Sequence, residues 1–296
     1  MRPGGPVANA QPVTAQLDVL CLGEALWDLC TPRGRTLASA SSLRLAPGGA
    51  AVNVALALAR LGWRAGLAAT VGADALGEAL AARVAASGVS TDLVRRAPPR
   101  TGLMFREQID RAQRIVGYRQ PDEEAPVLPE GWRARALVLT GILPAEAQAA
   151  SFGAAARAAR RCGARVVADL NARPRVWRGR AGAPLPAWIG DADVIKASAD
   201  DLEVMGLAEA TLRAAMRPPA VLVVTSGPGA TRARGPFGEI ERAPVPIAGG
   251  GAMGAGDAFV AGLCDALLRG GGADAAWWER ALRRGHALAR RRVGRS

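Results

Sequence analysis

Two periodicities alternate along the chain. Short apolar runs at 17–23, 136–141, 165–169 and 220–225, bounded by glycine or polar residues, predict buried strands. Between them lie stretches whose apolar residues recur at helical spacing. Val52, Leu56 and Ala59 share one face, and so do Phe259, Leu263 and Leu267. Residues 75–86 and the alanine-rich 145–162 read as further helices, and 231–245 as a hairpin. Strand and helix in repeated alternation predict an α/β fold, a mostly parallel central sheet with helices on both faces in a three-layer α/β/α sandwich. Three segments break the rhythm. Residues 31–46 are polar and punctuated by Gly and Pro, and 100–108 and 114–119 read as short alternating strands. Residues 1–16 lack any periodic pattern and read as a disordered tail, leaving 17–296 as a single folded domain.

Composition narrows the class. Half of the 296 residues are hydrophobic and 22% are charged, ordinary values for a globular protein with a sizeable core. No apolar run approaches the roughly 18 residues that a spanning helix requires. Pro and Gly occupy the start where a signal peptide needs an apolar helix, so a cytoplasmic location is expected, with no membrane partner. The net charge of +12 raises nucleic acid as a partner. Lys196 is the only lysine, however, and arginine supplies the rest throughout an Ala- and Gly-rich chain. The one dense cluster, Arg280, Arg283, Arg284, Arg290, Arg291, Arg292 and Arg295, lacks interleaved aromatics for base stacking and reads as a solvated terminal helix. No nucleic-acid partner is expected. Cys21, Cys30, Cys162 and Cys264 form no C-x-x-C pair and read as buried free thiols.

The stretch 249–259, Gly-Gly-Gly-Ala-Met-Gly-Ala-Gly-Asp-Ala-Phe, carries the chemistry. A helical pattern begins at once after it, so Gly254, Ala255 and Gly256 stand at a helix N-terminus, where amides without intrahelical partners and the helix dipole favour an anion. Asp257 stands beside that anion site. A carboxylate there would repel a phosphate, but it suits a base that takes the proton of a hydroxyl attacking phosphorus. Taken alone it also reads as an ordinary first-turn acid. Nearer the start, Asp28 follows the first strand, where an open α/β sheet binds ligands, and one carboxylate can accept from two adjacent hydroxyls of a sugar. Pro47-Gly48-Gly49-Ala-Ala-Val-Asn53 then places a tight turn ahead of a helix, with an amide in its first turns.

These two stretches resemble the two signatures of the ribokinase-like (PfkB) sugar kinases. The first is Gly-Gly-x-x-x-Asn-x-Ala followed by Leu-Ala-x-Leu-Gly, and the second is Gly-Ala-Gly-Asp-Ala-Phe. Residues 71–77, Val-Gly-Ala-Asp-Ala-Leu-Gly, match the family's V-G-x-D-x-x-G. Residues 169–177, Asp-Leu-Asn-Ala-Arg-Pro-Arg-Val-Trp, resemble a segment of fructokinases and 2-keto-3-deoxygluconate kinases. About five motifs occur in the family's order across nearly all of 17–290, far more specific than any one of them.

The resemblance implies an ATP- and Mg²⁺-dependent kinase acting on a fructose-like or 2-keto-3-deoxygluconate-like hydroxyl. Asp257 would be the base, and Gly254, Ala255 and Gly256 the anion hole. Asp28, Gly48, Gly49 and Asn53 would hold the sugar. Residues of about 30–47 and 99–120 would form a small β-sheet lid, from which Met104, Arg106, Tyr118 and Arg119 reach substrate or merely pack. Arg173 would meet phosphate or substrate. Lys196, Ser198 and Asp201 stand for the family's K-x-N-x-x-E, with Asp201 reaching Mg²⁺ through water; Lys196 also reads as a strand-end surface charge. Thr225, Gly227 and Gly229 would hold nucleotide phosphates. Lids of this kind often pair edge to edge, so a homodimer is expected.

The chain departs from the family pattern in places. Gly251-Ala252-Met253 stands where relatives carry D-T-x, so weak or absent K⁺ activation is expected. The loop at Gly227 is one residue short, and the chain stops soon after His286, which reads as a helix-surface residue. Two alternatives follow: a sugar or nucleotide sensor on a degenerate kinase scaffold, or a nucleoside kinase of the same fold.

Overall fold

The computed structural model describes residues 16–97, 100–109, 112–119, 126–141, 146–174, 181–243, 254–272 and 274–293. The expected tail therefore lies outside the described residues except for the exposed Gln16, and so do Gly251, Ala252 and Met253.

Strand β1 (Leu17–Gly23) is buried along its whole length, as a continuous apolar run requires of a strand covered on both faces. It lies between β4 (Ala65–Gly72) and β8 (Ala134–Thr140), parallel to both. The sheet continues through β5 (Ser90–Ala97) beside β4, and through β9 (Arg165–Asp169), β10 (Val194–Ser198) and β11 (Val221–Thr225) beyond β8, all parallel. A hairpin of β12 (Thr231–Gly235) and β13 (Gly238–Arg242) closes one edge antiparallel. Among the described residues nine strands thus run in the order β13-β12-β11-β10-β9-β8-β1-β4-β5. The chain winds outward from β1 in one direction and then from β8 in the other. The carboxyl ends of β1 and β8 therefore flank the switch point where such sheets form their ligand crevice.

Helices α1 (Ala50–Arg60), α2 (Ala75–Ala85), α3 (Glu146–Arg161), α4 (Ala199–Met205), α5 (Glu209–Ala215), α6 (Ala255–Leu268) and α7 (Ala275–Val293) cover the sheet. Two apolar clusters form, one on each face. One joins α1 and α6 to Val19, Cys21, Val138 and Val223; the other joins α3 to Leu20, Leu22, Leu137 and Val166. Alternate residues of β1 enter opposite clusters, as the two-residue period of a strand demands. Cys21, Cys30 and Cys264 are buried free thiols, and Cys162 is exposed.

A second sheet stands apart, in the order β3-β2-β6-β7. Strand β2 (Leu26–Cys30) pairs antiparallel with β3 (Arg44–Gly48) and parallel with β6 (Gly102–Ile109), which pairs antiparallel with β7 (Ala112–Arg119). Only Glu24 and Ala25 separate β1 from β2, so the chain enters this sheet earlier than the polar run at 31–46 implied. Asp74 fastens it to the core. Its carboxylate caps α2 by accepting from Gly77 N at 2.8 Å, and it accepts from Thr101 N at 2.9 Å and Thr101 Oγ1 at 2.6 Å, just where β6 begins. Asp74 is therefore a structural joint, as a capped helix after a strand end already implied.

Candidate active site

Helix α6 starts at Gly254, whose φ of 84° lies in the left-handed region that glycine occupies without strain. No side chain caps the helix, and Ala258 N donates to Gly254 O at 2.9 Å, so the first helical turn closes there. The amides of Ala255, Gly256 and Asp257 precede it and have no intrahelical acceptor. Helix α1 starts in the same manner at Gly49, φ 97°, again with no side-chain cap. A Cβ at Gly49 would stand 2.2 Å from Glu24 O, so only glycine lets the turn lie against the β1–β2 connection.

One hydrogen bond joins the two turns: Asn53 Nδ2 donates to Asp257 Oδ2 at 2.8 Å across 204 residues of sequence. Among the described residues nothing donates to Asp257 Oδ1, which leaves that oxygen for a ligand. Asp257 is 6% exposed, and burial raises its pKa above the ordinary carboxylate value. The Asn53 hydrogen bond and the charges of Arg173, Lys196 and Arg106 oppose that rise.

Asp28 sits in β2, with its carboxylate pressed against Gly48. A Cβ there would lie 2.5 to 2.8 Å from the carboxyl atoms. Arg106, two register positions along the neighbouring β6, donates from Nε to Asp28 Oδ1 at 2.8 Å, and its Nη2 is 2.7 Å from the same oxygen. Both side chains are largely buried. Burial raises the Asp28 pKa, the Arg106 charge works against it, and the Asp257 carboxylate adds to it. Among the described residues nothing donates to Asp28 Oδ2. Met104 is half-buried and lies opposite Asp28 in register. The Tyr118 backbone pairs with Met104, and Arg119 ends β7; the side chains of both lie outside the described residues.

Behind the anion turn the sheet supplies a buried charge cluster. Lys196 of β10 is 4% exposed, and its Nζ stands 3.0 Å from Asp169 Oδ1 and 3.9 Å from Asp201 Oδ2. The contact to Asp169 is a charge contact off the line of an ideal hydrogen bond. A Cβ on Gly256 would stand 3.4 Å from Lys196 Nζ, so the ammonium lies directly beneath the turn. This corrects the reading of Lys196 as a strand-end surface charge. Burial pushes Asp169 up to about 6 against the opposing Lys196 charge, with Asp201 and Asp257 adding to the rise. Lys196 lies above its ordinary value: the Asp169 and Asp201 charges outweigh a burial penalty that would lower it.

Ser198 and Asp201 form a capping box. Asp201 N donates to Ser198 Oγ at 3.0 Å, and Ser198 N donates to Asp201 Oδ2 at 2.7 Å. That Oδ2 is thereby committed to α4 and Lys196. Among the described residues no group of three or more His, Cys, Asp or Glu could hold a metal ion. Thr225 ends β11 beside Ser198 in register, and Gly227 and Gly229 form the exposed turn that follows. Arg173 is exposed just past β9, with its charge acting on Asp257. The structure thus gathers Asp28, Gly48, Gly49, Asn53, Arg106, Lys196 and Gly254–Asp257 into one neighbourhood. Ser198, Asp201, Thr225, Gly227 and Gly229 share the carboxyl edge of the same strands.

Two further residues stand close to the turn. Asp169 closes a predicted strand and lies directly opposite Lys196 in register, so a strand-end acid facing the only lysine is the signal that could have found it. Arg292 is exposed, as a solvated terminal arginine should be, and its Nε stands 3.2 Å from where a Gly254 Cβ would be. His286 is half-buried rather than on the surface, edge-on to Phe259 at 5.1 Å between ring centroids.

The chain is similar to known proteins over most of its length. A fructokinase of Arabidopsis thaliana, described as probable fructokinase-6, chloroplastic, is 31% identical over 271 residues, 84% of this chain and 70% of that protein. The 5-dehydro-2-deoxygluconokinase of Shouchella clausii is 29% identical over 275 residues, covering 86% and 84%. The crystal structure of a PfkB protein from Polaromonas sp. JS666 superposes with a TM-score of 0.76 at 27% identity, over 94% of this chain and 96% of that one. The fructokinase of Xylella fastidiosa with bound ATP gives 0.71 at 26% identity, over 93% and 89%. The profile of the pfkB family carbohydrate kinases matches residues 16–296, and the chain belongs to that family.

Proposed function

We propose that this kinase moves the γ-phosphoryl group of ATP to a hydroxyl of fructose or of a keto-deoxy sugar acid, with Asp257 as base and the Gly254–Gly256 turn as anion hole. The observation that carries the reading is the Asn53–Asp257 hydrogen bond. It sets the acid at the meeting point of two uncapped helix N-termini, one suited to phosphate and one lined by sugar-binding candidates. Relatives named fructokinase and 5-dehydro-2-deoxygluconokinase support the substrate class.

In this reading the reacting sugar hydroxyl donates to Asp257 Oδ1, and a neighbouring hydroxyl of the same sugar donates to Asp28 Oδ2. As the reacting oxygen bonds to the γ-phosphorus, the bond from that phosphorus to the β-bridging oxygen breaks, the hydroxyl proton passes to Asp257, and ADP leaves. The Ala255 and Gly256 amides hold the phosphoryl oxygens as charge shifts, and Lys196 adds positive potential beneath them. The turn fits such a group, since no side chain caps it and the side chains beside it include the cations Lys196 and Arg292. Asp201 would reach Mg²⁺ through water, and a bound Mg²⁺ would neutralise phosphate charge. A cytoplasmic location suits an ATP-consuming enzyme. Edge strands β3 and β7, with no further strand beside them among the described residues, suit pairing of two lids, which sizing in solution tests.

The deciding assay follows ADP release with Mg-ATP and fructose, 2-keto-3-deoxygluconate, ribose or adenosine. ADP formed with fructose or the keto-deoxy acid supports the reading. ADP formed only with adenosine replaces it with a nucleoside kinase, and sugar-dependent thermal stabilisation without ADP replaces it with a sensor.

A further inference from the structure

Helices α6 and α7 pack as a close antiparallel pair. A Cβ on Gly262 would stand 2.6 Å from Gly285 Cα, and one on Gly285 would stand 2.7 Å from the Phe259 ring. The two backbones therefore touch, and the contact fixes the register of α7 on α6. Arg292 follows Gly285 by seven residues, two helical turns further along the same face. Gly254 precedes Gly262 by a similar span in the opposite direction. The glycine crossing thus delivers one arginine, out of several near the end of α7, to the mouth of the anion turn. Its Nε and Nη2 stand 3.2 and 3.7 Å from the point where a Gly254 Cβ would be, and Asp257 Oδ2 stands 3.7 Å from that same point.

The placement is electrostatically unusual. The α6 N-terminus carries partial positive charge, which repels a cation. Arginines in the last turn of α7 suit its own dipole, but that explains their presence and not the aim of Arg292. Among the described residues no carboxylate comes within 4 Å of it. Its charge acts on Asp28 only at longer range. Arg292 is exposed, and its guanidinium stands beside free amides with no carboxylate within reach among the described residues, open to an anion that arrives later.

We infer that Arg292 contacts the transferring γ-phosphoryl group, completing from α7 the anion hole that α6 begins. This rests on the kinase reading above. A planar guanidinium at that position grips two phosphoryl oxygens and balances the charge that the Asp257 carboxylate sets against them.

The test compares binding of Mg-ADP and the Mg complex of the non-hydrolysable analogue AMP-PNP by titration calorimetry, alongside steady-state kinetics. Arg292→Met is expected to weaken AMP-PNP about tenfold, the scale of one charge-assisted hydrogen bond, while leaving ADP within about twofold. It should also lower kcat/KM at least tenfold, and Arg292→Lys should recover part of both losses. Wild-type affinity for AMP-PNP and ADP alike in Arg292→Met overturns the inference. So does an equal loss on both nucleotides, or a loss confined to the KM of a carboxylated sugar. If the wild-type protein turns over sugar and ATP, such results sink only the role of Arg292; if it binds neither nucleotide, the kinase reading falls with it.

Discussion

Replacing Lys196 by Met removes the only cation within 4 Å of Asp169 among the described residues while keeping the side chain's length and apolar stem. Asp169 is 1% exposed, so its charge would be left in the protein interior with no partner. Breaking a buried pair from one side costs about 3–5 kcal/mol. For a chain of this size, a few degrees per kcal/mol makes that a fall of about 10 °C in Tm. The penalty depends on pH, with a definite sign. Asp169 already titrates at about 6, above its unfolded value, with the Lys196 charge holding it down. Without Lys196 it rises further. An acid whose folded pKa is raised costs stability above that pKa, and the cost fades as pH falls through it. The loss in Lys196→Met relative to wild type should therefore be full at pH 8 and much smaller at pH 5. Urea unfolding of both proteins at the two pH values measures it, and the difference cancels other carboxylates. Adding Asp169→Asn should restore much of the stability at pH 8. A penalty equal at pH 5 and pH 8, or no penalty, refutes the buried pair.

Other expectations follow from the same geometry. Asp28→Ala should raise the KM for sugar about tenfold or more, leaving ATP affinity unchanged, because it removes the acceptor beside Gly48 but nothing at α6; a change in ATP affinity alone would count against that pocket. Gly48→Ala should act in the same direction, since its methyl would occupy the space of the Asp28 carboxylate. Asn53→Ala removes the hydrogen bond that holds the Asp257 pKa down, so the acid limb of the kcat profile should move to higher pH; an unmoved limb would separate Asp257 from that titration. Gly285→Ala would press a methyl into the Phe259 ring, and should lower Tm and selectively weaken AMP-PNP binding together.

Local chemistry was legible in the sequence. The bounds of β1 and β9 match their apolar runs, and the glycine turn before Asp257 announces an uncapped helix N-terminus. Ser198-x-x-Asp201 spelled a capping box, although the family pattern drew attention to metal instead. What depended on strand neighbours was hidden. Arg106 meets Asp28 because β2 and β6 are adjacent, 78 residues apart in sequence. Lys196 is buried against Asp169 because β10 lies beside β9. Arg292 reaches the anion turn only through a helix crossing at two glycines, and no one-dimensional pattern records where an arginine on a basic helix points.

The most direct measurement is phosphoryl transfer by Asp257→Asn, a substitution that keeps shape and removes the base. With Mg-ATP and the accepted sugar at saturation, kcat should fall at least about 10²-fold while both ligands still bind. Turnover close to wild type would contradict the central claim that this carboxylate, gripped by Asn53 at the junction of the two glycine turns, takes the sugar's proton.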